Sequence, residues 1–243
     1  MPHSPSPPGT PRVPLARTFT PQMRESLLVA GQEVHECMRV LEKAELNLVG
    51  EILRGQGEFV EFEHYPHDDV SDHETHSQYY YHSHGDNRRP EHGHFHTFIR
   101  TGELVPTPKT AQPRPDADEW PSGDAALAHI ISIAMDDWGY PLGLFATNRW
   151  VTGETWYPAP TLIQLLPRFE IDHAYPSWPT NRWITALLRL FRPHIEELLL
   201  HRDAVIQAWQ QNHPEQDALE DRALEITGYI PISVEQWMHE LTS

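Results

Sequence analysis

Cysteine is nearly absent: Cys37 is the only one among 243 residues. That excludes an intramolecular disulfide and any zinc site built from several thiolates. Basic residues are scarce too, with 18 Lys and Arg against 35 Asp and Glu and a formal net charge of −17. A nucleic-acid backbone or an anionic membrane surface requires a basic footprint, so neither is expected as a partner. Long apolar runs are missing as well. Stretches such as 27–30 and 198–200 fall far short of the ~20 residues of a membrane span. Residues 1–19 hold Pro2, Pro5, Pro7, Pro8, Pro11 and Pro14 but no apolar segment fit for a secretory signal, so the cytoplasm is the expected compartment. Such a stretch buries too little surface to offset its ordering entropy. It is expected to be a disordered arm, followed by a single domain over 20–243.

What is present divides by period. Thr20 and Pro21 form a helix start, and Leu27, Val34, Met38 and Leu41 recur on one helical face. Leu46, Val49, Ile52 and Leu53 continue the pattern until Gly55 and Gly57, so 20–54 reads as one long helix or two short ones. Alternation then predicts strands over 59–65, 78–84 and 92–100. Two apolar runs, 130–135 and 142–150, flank a turn over 136–141 that contains Gly139 and Pro141. Residues 101–124, with five prolines, read as a loop, and 151–180 as irregular but ordered cover. Helix resumes at Asn181, kinks or restarts at Pro193, recurs over 217–226 with Gly228 as its stop, and opens a last time at Ser233, capped with Gln236. The expected fold is α+β: an antiparallel sheet of about five strands with N-terminal and C-terminal helices packed on it.

Histidine is the abundant oddity. Nine of the 17 lie between His64 and His96, where an even spread would place about two. Parity gives the excess a geometry. His82 and His84 share one strand face, as do His92, His94 and His96. A hairpin through 85–91 that pairs His84 with His92 sets His82 opposite His94 and Tyr80 opposite His96, with facing Cβ atoms ~4.5–5.5 Å apart. Imidazoles at that spacing converge on one ion about 2.0–2.1 Å from each nitrogen. The competing explanation is a merely solvated polar face. Five imidazoles side by side would repel if charged and need partners if buried, and a metal meets both demands.

The candidate ligands are His82, His94 and His96 first, then His84, His92 and Glu91. The acidic residues Asp68, Asp69, Asp72 and Glu74 are candidates for a carboxylate ligand or for orienting an imidazole, or belong simply to a solvated loop. Imidazole with carboxylate suits zinc, iron, copper or nickel rather than calcium or magnesium. An open coordination position would permit hydrolysis or oxygen chemistry on a small-molecule ligand; a saturated one would suit metal storage or sensing. The residues leave catalysis undecided. Tyr79, Tyr80 and Tyr81 read either as pocket wall or as cross-strand packing.

Two stretches of sequence resemble known families. His92-Gly93-His94-Phe95-His96-Thr97-Phe98 resembles the histidine-triad signature, in which the middle histidine attacks a nucleotide α-phosphate. That resemblance implies a nucleotide hydrolase or transferase with His94 as nucleophile. Gly93 and Thr97 depart from its apolar positions. His64-Tyr65-Pro66-His67-Asp68-Asp69-Val70, Gln78-Tyr79-Tyr80-Tyr81-His82, the segment 91–98, and Asn148-Arg149-Trp150-Val151-Thr152-Gly153-Glu154 together resemble an uncharacterised bacterial domain family, over about 20–240. That likeness implies a classification and no mechanism. In the last motif, Arg149 could bind a carboxylate and Glu154 could ligate or accept a proton at a pocket edge, but Arg149 reads more simply as paired with one of the many acids, beside core Trp150 and Trp156. Asp136 and Asp137 read as turn caps and Cys37 as a small core residue.

Overall fold

The computed structural model describes residues 9–84, 91–102, 104, 106–111 and 119–243. Helix α1 (Pro21–Glu42) begins where Thr20 accepts the Met23 N–H, with Pro21 at the first helical position. It buries Leu27, Ala30, Val34, Cys37 and Leu41. Helix α2 (Leu48–Leu53) starts afresh where the Asn47 side chain accepts the Gly50 N–H. The segment 20–54 is thus two helices.

Six strands form one antiparallel sheet in sequence order: β1 (Tyr65–Asp72), β2 (Ser77–His82), β3 (Gly93–Arg100), β4 (Leu127–Met135), β5 (Pro141–Thr147) and β6 (Ile226–Pro231). Two sequence expectations are corrected here. The strand expected at 59–65 begins only at Tyr65, because Phe62 takes a left-handed φ of 70° inside a turn. Pro66 then lies near the start of β1 rather than after a strand. An edge strand tolerates proline, since its N–H groups need no partner on the open side. The helix expected over 217–226 is absent. Asp217 and Asp221 accept the N–H groups of Leu219 and Ala223, holding turns that compete with helix. Residues 226–231 instead pair with β5, which raises the strand count to six.

The remaining helices are α3 (Arg149–Thr152), α4 (Ala159–Leu165), α5 (Trp178–Leu190), α6 (Arg192–Asn212) and α7 (Val234–Thr242). Pro193 sits in the first turn of α6, so the chain restarts a helix there instead of kinking one. Ser233 accepts the Gln236 N–H and caps α7. Within 1–19, expected as an arm, residues 1–8 lie outside the described residues. Ala16–Thr18 form a 3-10 turn with Ala16 buried, and Phe19 packs edge-on against Trp237. No helix among the described residues is long and apolar enough to cross a membrane.

One sheet face turns Tyr79, Tyr81, Phe95, Ile131, Ile133 and Leu144 into the main core, against Val34, Trp183, Leu187 and Leu198. Each such side chain contributes about 1.5–3 kcal/mol by leaving water. A buried hydrogen bond from Tyr79 Oη to Asn181 Oδ1, 2.6 Å, ties β2 to α5. The opposite face carries Tyr80, His82, His94, His96, Phe98, Ser132 and Phe145, and these are buried too. Replacing Trp183 by alanine would open the helical side of the core; denaturant unfolding should show a loss of about 3–5 kcal/mol.

Candidate metal centre

Strands β2 and β3 pair in the register the histidine spacing predicts, with His82 opposite His94 and Tyr80 opposite His96. The three imidazoles converge. His82 Nε2 lies 2.7 Å from His94 Nε2 and 3.2 Å from His96 Nε2. Two nitrogens each bound at about 2.0–2.1 Å to one ion stand roughly 2.9 Å apart at right angles and about 3.3 Å apart in a tetrahedron. The 3.2 Å spacing lies within that range and the 2.7 Å spacing just below it, so the three nitrogens are close enough to be neighbouring ligands on one ion. All three side chains are buried, and the group His82, His94 and His96 is the one cluster among the described residues with metal-binding spacing.

The outer nitrogens of His94 and His96 have polar neighbours. His94 Nδ1 lies 3.3 Å from Glu91 Oε1. His96 Nδ1 lies 2.9 Å from Ser132 Oγ and 3.1 Å from His129 Nε2. Such partners fix the ring orientation and the tautomer that leaves Nε2 free to ligate. Tyr80 and Phe145 wall the group, their rings 5.1 Å from His96 and from His94 respectively. Burial, reinforced by neighbouring imidazoles, pushes His82 down to about 2 and His96 well below its ordinary value. Burial also pushes His129 down to about 3. These rings are therefore neutral at pH 7, the form that binds a metal.

The other expected ligands are placed differently. The His84 ring lies 4.6 Å from that of His82 and 5.2 Å from that of His94, beside the trio. Glu91 meets the centre through His94 rather than through the Nε2 atoms. His92 leaves the cluster: its Nδ1 lies 2.6 Å from Tyr81 Oη, and its ring packs against Phe59. Tyr81 belongs to the helix-facing side, so the strict alternation that would put His92 with His94 stops before β3 begins. Residues 85–90 of the hairpin lie outside the described residues. Asp72 accepts the N–H groups of Glu74, Thr75 and Asp172 and so holds a turn. Tyr79 and Tyr81 face the helices, whereas Tyr80 lines the centre.

Two neighbours of the centre take their places only in the fold. Ile130 is an extra residue in β4, because the register shifts from Thr97 opposite Ile131 to Phe98 opposite His129. Without that bulge, His129 and Ser132, three apart, would face opposite sides; with it, both meet His96. Glu154 is the other. Its Oε2 accepts the His129 N–H at 2.5 Å, and burial pushes its carboxyl up to about 8 despite Arg202 and Arg149 nearby. Arg149 pairs with Glu220 at 2.5 Å and donates to the Glu154 carbonyl, as its simpler interpretation has it.

A family model described as a domain of unknown function (DUF6969) matches residues 28–232. The chain belongs to the DUF6969 family. The DUF6969 match runs from α1 to β6 and contains His82, His94, His96, His129 and Glu154. No curated protein and no solved structure matches the chain.

Two outcomes follow from this geometry. A Cβ at Gly93 would come within 2.5 Å of the His82 carbonyl oxygen and 2.6 Å of Tyr81 Oη. Gly93→Ala should therefore push β2 and β3 apart beside His94, and thermal unfolding should show a variant less stable by about 1–3 kcal/mol. Stability should also depend on pH in the ion-free protein. Below pH ~6.5 the unfolded chain takes up protons that His82, His96 and His129 refuse when folded, so acidification destabilises by up to about 1.4 kcal/mol per group per pH unit. Glu154 acts oppositely, because its folded carboxyl keeps a proton that the unfolded one releases, so stability falls as pH rises toward about 8. Buried His194, held down to about 4, and His201 act in the same direction, so the histidines outweigh Glu154 below pH ~6.5 and Glu154 opposes them above it; urea titrations should find a maximum near pH ~6.5. A flat profile would contradict the burial of these groups.

Proposed function

We propose that this protein binds a transition-metal ion through Nε2 of His82, His94 and His96. The observation that carries the proposal is the mutual approach of these three buried nitrogens at ligand spacing, 2.7 and 3.2 Å from His82. The donor set favours zinc, iron, copper or nickel over cations that prefer oxygen. Glu91 at His94 and the Ser132–His129 pair at His96 supply the partners that keep ligating imidazoles in place. Three protein nitrogens leave at least one coordination position, and His84 flanks the group. A small molecule or water in that position gives a metalloenzyme its chemistry. A saturated set gives storage or sensing, so the number of protein ligands separates the two functions.

The nucleotide-transfer alternative asks His94 to attack a phosphate. Its side chain is 2% exposed and its Nε2 is turned against His82, which leaves a phosphate group no line of approach.

Untagged protein, purified and supplied with zinc, iron, copper or nickel, should hold about one ion per chain by elemental analysis. His82→Ala and His94→Ala should each lose it, while His92→Ala, outside the cluster, should keep it. Retention by all three variants would reject the site. At a thousand-fold excess over Kd, the ion should stabilise the wild type by about 4 kcal/mol and raise Tm accordingly.

A further inference from the structure

His64 directly precedes β1, and Tyr65 pairs with Tyr81. Continuing that antiparallel register by one residue sets His64 opposite His82, which itself stands opposite His94. One row of imidazoles thus crosses three neighbouring strands. The His64 ring stacks on Tyr80 at 3.6 Å and stands edge-on to His82 with centroids 5.8 Å apart.

Ring spacing can be compared with what one ion imposes. An imidazole bound at about 2.0–2.1 Å has its centroid about 3.2 Å from the ion. Two such rings stand roughly 4.5 Å apart at right angles, about 5.2 Å tetrahedrally and up to about 6.4 Å when opposed. Within the trio the separations are 4.5, 5.0 and 4.9 Å; the His64–His82 separation of 5.8 Å is wider but below the opposed limit, and the His64 ring lies outside the converged trio, so it must swing inward to share the ion.

A chain of polar groups holds this ring. His64 Nδ1 lies 3.0 Å from Asp69 Oδ1. The second oxygen of Asp69 accepts from Gln78 Nε2 at 2.8 Å, and Gln78 Oε1 accepts from Arg100 Nη1 at 2.8 Å. Asp69 reaches His64 only because residues 66–69 together stand opposite the single residue Tyr80, and it does so with a left-handed φ of 52°. An exposed histidine–carboxylate pair contributes little to stability and does not account for so elaborate a support. A carboxylate on Nδ1 does fix the proton there and leave Nε2 as the lone pair, the nitrogen the trio also presents. The His64 side chain is 41% exposed while its neighbours are buried, so it stands where an ion arrives from solvent.

We propose that His64 is the fourth imidazole of the centre, receiving the ion on the solvent side, with Asp69 as the carboxylate that orients it. This rests on the three-histidine site proposed above and narrows it. With four nitrogens from the protein, an ion that still accepts a small molecule is five- or six-coordinate, which favours iron, nickel or copper(II) over tetrahedral zinc.

The test uses full-length untagged protein, with chelator competition for copper(II) and nickel(II) and the nitrogen hyperfine pattern of bound copper(II). His64→Ala should weaken binding at least about tenfold and remove one nitrogen from the copper(II) spectrum. Asp69→Asn should weaken binding by about 10–100-fold while keeping the nitrogen count, an effect that a purely structural aspartate would not produce. Affinity within about twofold of wild type and an unchanged spectrum in His64→Ala, with His82→Ala still abolishing binding, would overturn the role of His64 and leave the three-histidine site standing. Binding retained in His82→Ala and His94→Ala would overturn both. Circular dichroism of each variant checks that it folds, and His64, partly in solvent, is a position where alanine leaves no buried cavity.

Discussion

The pairing of His82 with His94 is the constraint on which the rest depends. A shift of one residue would send one set of imidazoles to the helical side. The register is held from the other face, where Tyr79, Tyr81 and Phe95 alternate with the histidines and lock into the core against Trp183. Sliding β2 past β3 would drag those aromatics toward the polar side. The apolar core therefore positions the polar centre, although the two never share a face.

Burying a cluster of imidazoles is costly unless each ring is neutral and its nitrogens have partners. Burial keeps His82 and His96 neutral, Ser132 and His129 lie at Nδ1 of His96, Glu91 lies 3.3 Å from Nδ1 of His94, and aromatic rings flank the group. His82 Nε2 lies 2.7 and 3.2 Å from the Nε2 atoms of His94 and His96, which gathers lone pairs where a cation would neutralise them. A net charge of −17 raises the local concentration of cations around the molecule and suits the same partner.

Much of this was legible because a strand has a strict period. The alternation His92-Gly93-His94-Phe95-His96 and its match to Tyr80 and His82 gave both the pairing and the face, and the order of helices and strands gave the fold class. What escaped did so where the period breaks. His129 joins the histidine face only through the extra residue Ile130, and nothing in its own neighbourhood signals a bulge. His92 falls outside the regular strand and turns to Tyr81. His64 sat in a predicted strand ended too early by Pro66, and Glu154 depended on a tertiary contact to a backbone N–H. Strand β6 was hidden by aspartates whose side chains favour a helix start and a turn equally.

The bulge in β1 has one more effect. A sheet edge with a regular ladder of free N–H and C=O groups is a template on which a foreign strand can extend it. Residues 66–69 interrupt that ladder, Pro66 removes a donor, and charged Asp68 is exposed beside it. The detour that carries a carboxylate to His64 thus also protects the molecule against edge-to-edge polymerisation, so that straightening this segment would expose the protein to aggregation along its first strand.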